Sequence, residues 1–158
     1  MDKKIEETGC TDREVLRISF RQILSLADET GKVFPTEACA VLFGLSTKKE
    51  VILKKIVMVP NILKSPSKFK IDGKKLGRVV KANENGNLKL IGFYHSHPFS
   101  PVPSLEDLQY MKIWASGGKD YIWLIRSTLK YEGMEAYRIK DGQPERVTMY
   151  IYKEDKEP

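Results

Sequence analysis

The sequence predicts an α/β fold in a single domain: a mixed β-sheet with helices packed on its faces. Three observations carry this. The chain has 158 residues, enough for one core and not comfortably for two. Hydrophobic residues make up 41%, which supplies that core and excludes a wholly disordered chain. Segments of strand and helix periodicity alternate until the last strands, which come in a run.

Residues 1–12 are polar and read as a loose N-terminus, 13–152 as the folded domain and 153–158 as a frayed tail. Glu14 to Ile18 alternates like a short strand. Ser19 with Gln22 forms a capping box that starts a helix near residue 20. Phe20, Ile23, Leu24 and Ala27 recur at helical spacing as its buried face, and Gly31 is a suitable stop. After a loop with Pro35, the apolar run Ala38 to Leu45 is a buried strand. Val51 to Val59 is the next strand, ended by Pro60-Asn61. A basic loop follows. Asp72 caps a helix to about residue 83 with Leu76, Val79 and Val80 inward and Gly77 weakening it.

Leu88 to His95 is a strand that runs into a loop with Pro98, Pro101 and Pro103. Ser104 opens a helix whose Leu105, Leu108, Met111, Ile113 and Trp114 offer apolar surface, ended by Gly117-Gly118. Tyr121 to Ile125, Met134 to Ile139 and Val147 to Tyr152 are strands, the last two separated by an Asp141-Gly142 turn.

Composition excludes several function classes. The longest apolar runs fall far short of the ~20 residues that cross a bilayer, and the charged N-terminus has no signal core. A cytoplasmic protein is the default expectation. Cys10 and Cys39 are the only cysteines: they make no disulfide framework, and one bridge between them is possible but not required. Neither lies in a Cys-x-x-Cys pair, which excludes a cysteine-based zinc site and a thioredoxin-type redox site. The net charge is +6, with lysine and glutamate abundant and glutamine confined to Gln22, Gln109 and Gln143. Such a bias resembles that of heat-adapted proteins. Because bases and acids interleave, the basicity fits a solvated mixed surface; an acidic partner is the sharper alternative.

The chemistry concentrates in one place. The chain has two histidines, His95 and His97, two residues apart. On a strand, such a pair shares one face at ~7 Å, so both imidazoles can converge on one ion. Asp107 follows in the first turn of the helix opened by Ser104, where the helix dipole keeps a carboxylate ionised. Two imidazoles and one carboxylate suit zinc, and three protein ligands leave a fourth position for water, as in catalytic sites. Ser104 and Asp107 also read as a plain capping pair, and a lone His-x-His as an ordinary polar pair. Their joint occurrence raises the metal reading until it stands level with the plain one.

His95-Ser96-His97-Pro98 followed by Ser104-Leu105-Glu106-Asp107 resembles the signature of the JAMM (MPN-plus) zinc metallopeptidases. Pro35 to Gly44 resembles the segment in which that family carries its catalytic glutamate, and Gly92-Phe93-Tyr94 its strand into the histidines. Pro60-Asn61 and Phe69-Lys70-Ile71-Asp72 fit the compact prokaryotic members, so the likeness runs from about residue 15 to 152. Two features depart from the pattern: the loop from Pro98 to Pro103 is one residue shorter than usual, and Ala40 replaces a common glycine.

The resemblance implies a curved mixed sheet of the MPN/JAMM, cytidine-deaminase-like kind. It implies Zn2+ held by His95, His97 and Asp107, with Glu37 shuttling the proton of a zinc-activated water and Ser104 donating to the oxyanion. It further implies a metalloprotease that hydrolyses the (iso)peptide bond after the C-terminal glycine of a ubiquitin-like protein, including its lysine conjugates. Lys64, Lys68, Lys70, Lys74, Lys75, Arg78 and Lys81 form the densest basic region and could steer an acidic modifier. Three rivals stay open: a hydrolase trimming the C-terminus of a ubiquitin-like sulfur carrier, a non-catalytic MPN scaffold, and a nucleic-acid-binding domain supported by net charge alone. A nucleobase deaminase lacks its cysteine motif here. Cys39 reads as a core residue, Trp114 and Trp123 likewise, and the sequence leaves the oligomeric state open.

Overall fold

The computed structural model describes residues 15–128 and 133–154. Seven strands and three helices follow in the order β1 (Val15–Ser19), α1 (Phe20–Val33), β2 (Cys39–Ser46), β3 (Glu50–Val59), α2 (Gly73–Asn83), β4 (Lys89–His97), α3 (Leu105–Ala115), β5 (Ile122–Ser127), β6 (Met134–Lys140) and β7 (Gln143–Tyr152). The mixed sheet runs β1-β3-β2-β4-β5-β6-β7 and curves until β7 pairs back to β1, closing it. The closing pair is parallel, as are β1–β3 and β4–β5; the others are antiparallel.

Strand parity divides the core in two. Ala40, Leu42, Tyr94, Leu124 and Ala136 face one side, where Leu26 of α1 packs. Val41, Phe43, Phe93, Trp123 and Ile125 face the other, covered by Leu76 of α2 and Met111 of α3. Trp123 is buried and Trp114 half-buried; both pack against the Phe93 ring, with centroids 4.9 and 4.8 Å away. His95 and His97 have the parity of Phe93, so they stand at the end of β4 on the α2/α3 side.

Two helices differ from their expected faces. In α1, Phe20 and Leu24 are exposed; the buried stripe is Ile23, Leu26 and Thr30, because Tyr94 of β4 offers Thr30 a buried hydroxyl partner at 2.6 Å. In α3, Leu105 and Ile113 are 81% and 68% exposed, while Leu108, Met111 and Trp114 turn inward together with Tyr110. Gly31 does not stop α1. The helix runs to Val33, and Pro35 ends it by forcing Phe34 into an extended conformation. At the other end of the chain β7 begins at Gln143 rather than Val147. Asp141 and Gly142 both adopt positive φ, which makes a two-residue hairpin turn and lets pairing start at Lys140–Gln143.

The extreme ends and Cys10 lie outside the described residues. Among the described residues no helix is long and apolar enough to cross a membrane.

Candidate functional site

β4 delivers the histidines. It lies between β2 and β5, with His95 opposite Cys39 on one side and Ile125 on the other. Ser96, pointing to the opposite face, locks the β2–β4 end: its backbone donates to Ala38 O, and its hydroxyl accepts from Ala38 N at 2.8 Å. Continuing that register by one pair places Glu37 across from His97. Glu37 is buried, and its Oε1 lies 3.9 Å from His97 Nε2.

α3 delivers the third group. Ser104 and Asp107 form a reciprocal capping box: Ser104 Oγ accepts from Asp107 N at 3.0 Å, and Ser104 N donates to Asp107 Oδ2 at 2.9 Å. The cap is formed, and the same Asp107 Oδ2 also faces both imidazoles. It lies 3.2 Å from His95 Nε2 and 2.9 Å from His97 Nε2, and the two Nε2 atoms are 3.0 Å apart. The shortened loop before Ser104 leaves this convergence intact.

Three donor atoms thus form a near-equilateral triangle. Donors on a tetrahedral zinc ion, with bonds of about 2.0–2.1 Å, stand about 3.3 Å apart. The donor set and its spacing fit such an ion. Tautomer chemistry agrees for His97, whose Nδ1 can donate to Ser100 O at 3.0 Å and so turn the Nε2 lone pair inward. His95 has no such bond: its Nδ1 is buried without a partner among the described residues. The Phe69 ring instead stacks on it, centroids 4.3 Å apart and planes 22° apart.

Electrostatics sorts the roles. Burial would raise the Asp107 carboxyl, but hydrogen bonds from both imidazoles and from Ser104 N hold it far below the usual carboxylate range. Burial lowers His95, keeping it neutral against the pull of Asp107. His97 is raised: burial opposes this, and Asp107 outweighs it. Burial pushes Glu37 up to about 8, opposed by His97 and assisted by Asp107. Cys39 is a buried free thiol that donates to Val59 O at 3.4 Å; burial pushes it up to about 12, so it is no nucleophile at neutral pH.

Sequence reasoning placed Glu37, His95, His97, Ser104 and Asp107, and the structure brings them together. It overlooked the parts played by Asn61 and Phe69. The Asn61 side chain hydrogen-bonds Glu37 O, Lys68 O and the backbone N–H groups of Leu63 and Lys70. An asparagine directly after the proline that ends a strand is the signal the sequence offers.

Residues 19–140 match the family described as prokaryotic homologs of the JAB domain. The chain belongs to this family. It is 37% identical over 90 residues to a desampylase of Pyrococcus furiosus and 34% identical over 95 residues to a desampylase of Haloferax volcanii. These matches cover 56% and 59% of this chain, and 58% and 63% of the two relatives. Among solved structures, a protein of Desulfitobacterium hafniense superposes with a TM-score of 0.73 at 21% identity, over 89% of this chain and 94% of that one. A JAB1/MPN domain protein of Archaeoglobus fulgidus superposes with a TM-score of 0.57 at 18% identity, over 87% and 99%. At these identities the structures speak for the fold. The compact JAB-type fold, with its mixed sheet and three helices, is the one the sequence predicted.

Proposed function

We propose that this JAB-family chain is a zinc metallopeptidase that hydrolyses the (iso)peptide bond after the C-terminal glycine of a ubiquitin-like protein. The observation that carries the reading is the convergence of His95 Nε2, His97 Nε2 and Asp107 Oδ2 beside a buried carboxyl group, that of Glu37. Kinship with two desampylases supports the reading of a ubiquitin-like modifier as substrate.

His95, His97 and Asp107 would hold the ion. Zinc bound there supplies a Lewis acid that polarises the scissile carbonyl and brings the pKa of water down to about 7. The chain supplies the proton handling. Glu37, whose proton affinity burial raises toward neutral pH, takes a proton from water on its carboxylate and returns it to the leaving amine. Ser104 Oγ accepts from Asp107 N in the cap, and its own O–H remains to donate to the oxyanion. The exposed Lys64 and Lys70 on the loop beside Glu37, continued by Lys74, Lys75, Arg78 and Lys81 on α2, favour an acidic modifier.

The test is incubation of zinc-loaded protein with ubiquitin-like substrates joined to lysine or carrying a C-terminal extension. Cleavage abolished by chelation, and by Glu37→Gln with zinc retained, is the expected result. Cleavage of the extended substrate alone would assign C-terminal trimming, and stoichiometric zinc with no cleavage of either would reject the proposal.

A further inference from the structure

We propose that Asn61 is a positioning residue for this site, fixing Glu37 and Phe69, and through Phe69 the His95 ring, in one hydrogen-bonded frame. The inference deepens the peptidase reading and rests on it. Asn61 is buried, and every hydrogen-bonding capacity of its carboxamide is used. Its Nδ2 donates to Glu37 O at 3.1 Å and Lys68 O at 2.8 Å, with a longer contact to Ser65 O at 3.5 Å. Its Oδ1 accepts from Leu63 N and Lys70 N, each at 3.1 Å.

The bonds to Lys68 O and Lys70 N bracket Phe69, so both of its neighbours are pinned to one side chain. Phe69 then stacks on His95 and meets Tyr110 of α3 edge-on, centroids 5.8 Å apart. His95 needs that ring. Among the described residues its Nδ1 has no hydrogen-bond partner to set its rotation, whereas His97 has Ser100 O. Glu37 is held by the same frame from both sides of its backbone, since Glu37 N donates to Ser65 O at 2.8 Å while Asn61 grips Glu37 O. Losing the carboxamide therefore frees the proton carrier and one imidazole together.

The experiment compares wild type with Asn61→Ala, Asn61→Asp and Phe69→Ala in the full chain. Asn61→Asp keeps the acceptor for Leu63 and Lys70 but turns a second oxygen on the Glu37 and Lys68 carbonyls, and it serves if the alanine variant fails to fold. In metal-free protein, hydrogen exchange at the Glu37 amide should quicken about 10-fold or more in both Asn61 variants, and at the Lys70 amide in Asn61→Ala, with β5 amides unchanged. Zinc affinity, read by chelator competition, should weaken about 10-fold in Asn61→Ala and in Phe69→Ala. In the Asn61 variants kcat should drop about 10- to 100-fold while KM stays within about threefold. A folded Asn61 variant that melts earlier yet keeps wild-type kcat and zinc affinity would overturn the proposal. If wild type itself neither binds zinc nor cleaves substrate, the peptidase reading fails; the exchange measurement still decides whether Asn61 holds Glu37.

Discussion

Glu37 stands across the β2–β4 pair from His97, its Oε1 3.9 Å from the imidazole Nε2, and its Oε2 is buried with no hydrogen-bond partner among the described residues. In metal-free protein a carboxyl in that setting holds its proton more tightly than an ordinary glutamate, whereas a cation on the adjacent triangle would release it for use as a base. Glu37 is pushed from an ordinary 4.5 up to about 8, chiefly by burial. Between those values the folded chain holds a proton that the unfolded chain has released, so this group's contribution to stability declines as pH rises through the window. His97, also raised, acts in the same direction just above its ordinary value. His95, lowered, acts oppositely, and Asp107 matters only in acid. Glu37→Gln isolates the carboxyl. In urea titrations of chelator-treated protein, the variant should gain on wild type between pH 5 and pH 8.5 by on the order of 3 kcal/mol. Parallel pH profiles for the two proteins would contradict the assignment.

Ser104 serves two ends, and they can be pulled apart. As the N-cap of α3 it accepts from Asp107 N; as a proposed oxyanion donor it uses its own proton. Ser104→Ala should cost about 1 kcal/mol of stability and about 100- to 1,000-fold in kcat. Ser104→Gly, which at an N-cap costs only a few tenths of a kcal/mol, should keep nearly all the stability and still lose the full factor in kcat. Thermal melts beside single-turnover rates check both, and activity that tracks stability across the two variants would leave Ser104 as a cap alone.

The ease of reading this chain follows the range of its interactions. The caps at Ser19 and Ser104 are three-residue events, and the side chains that make them are visible in the sequence. The i, i+2 histidines share a face for the same local reason. Glu37, by contrast, meets His97 only through the β2–β4 register, which no local pattern encodes; family likeness supplied it. The parallel β1–β7 pair that closes the sheet is equally non-local. The apolar count misled in α1 and α3 because Phe20, Leu24, Leu105 and Ile113 satisfy a helical period while facing solvent. The sequence predicts too short a β7 because Gln143 to Arg146 carry no apolar signal, though a hairpin turn pairs their backbone regardless. Asn61 and Phe69 sit in a loop whose shape comes from one side chain's hydrogen bonds, and periodicity says nothing there.

Two glycines make opposite expectations. Gly92 faces Ile122 in the β4–β5 ladder, three residues before His95, next to the register shift between Leu42 and Phe43. A Cβ there would lie 1.8 Å from Ile122 O, against backbone that cannot yield. Gly92→Ala should destabilise by about 3 kcal/mol or more and disturb zinc uptake with it. Gly77, within α2, would place a Cβ in open space. Gly77→Ala should therefore stabilise by about 0.5–1 kcal/mol through helix propensity alone and leave zinc content unchanged. Denaturation midpoints with metal analysis distinguish the two; equal effects would mean that the close β4–β5 approach is not what holds the histidine strand.

The basic face offers a kinetic test of the partner's charge. Lys64 and Lys70 are exposed on the loop that Asn61 ties to Glu37, and Lys74 and Lys75 continue from it into the first turn of α2. Lys68 is different, for it pairs with Glu106 at 3.1 Å and so spends its charge within the site's rim. Exposed lysines add little to stability, but together they raise the encounter rate with an acidic surface, an effect that salt screens over about 8–10 Å. Replacing Lys64, Lys70, Lys74 and Lys75 with glutamate should lower kcat/KM for an acidic ubiquitin-like substrate at low salt by about 10-fold or more and flatten or invert its salt dependence, with kcat nearly unchanged. Because steering acts before the complex forms, the same variant should cleave a short neutral peptide mimicking the modifier's C-terminus at the wild-type rate. A salt dependence identical to wild type would show that these charges do not face the incoming partner.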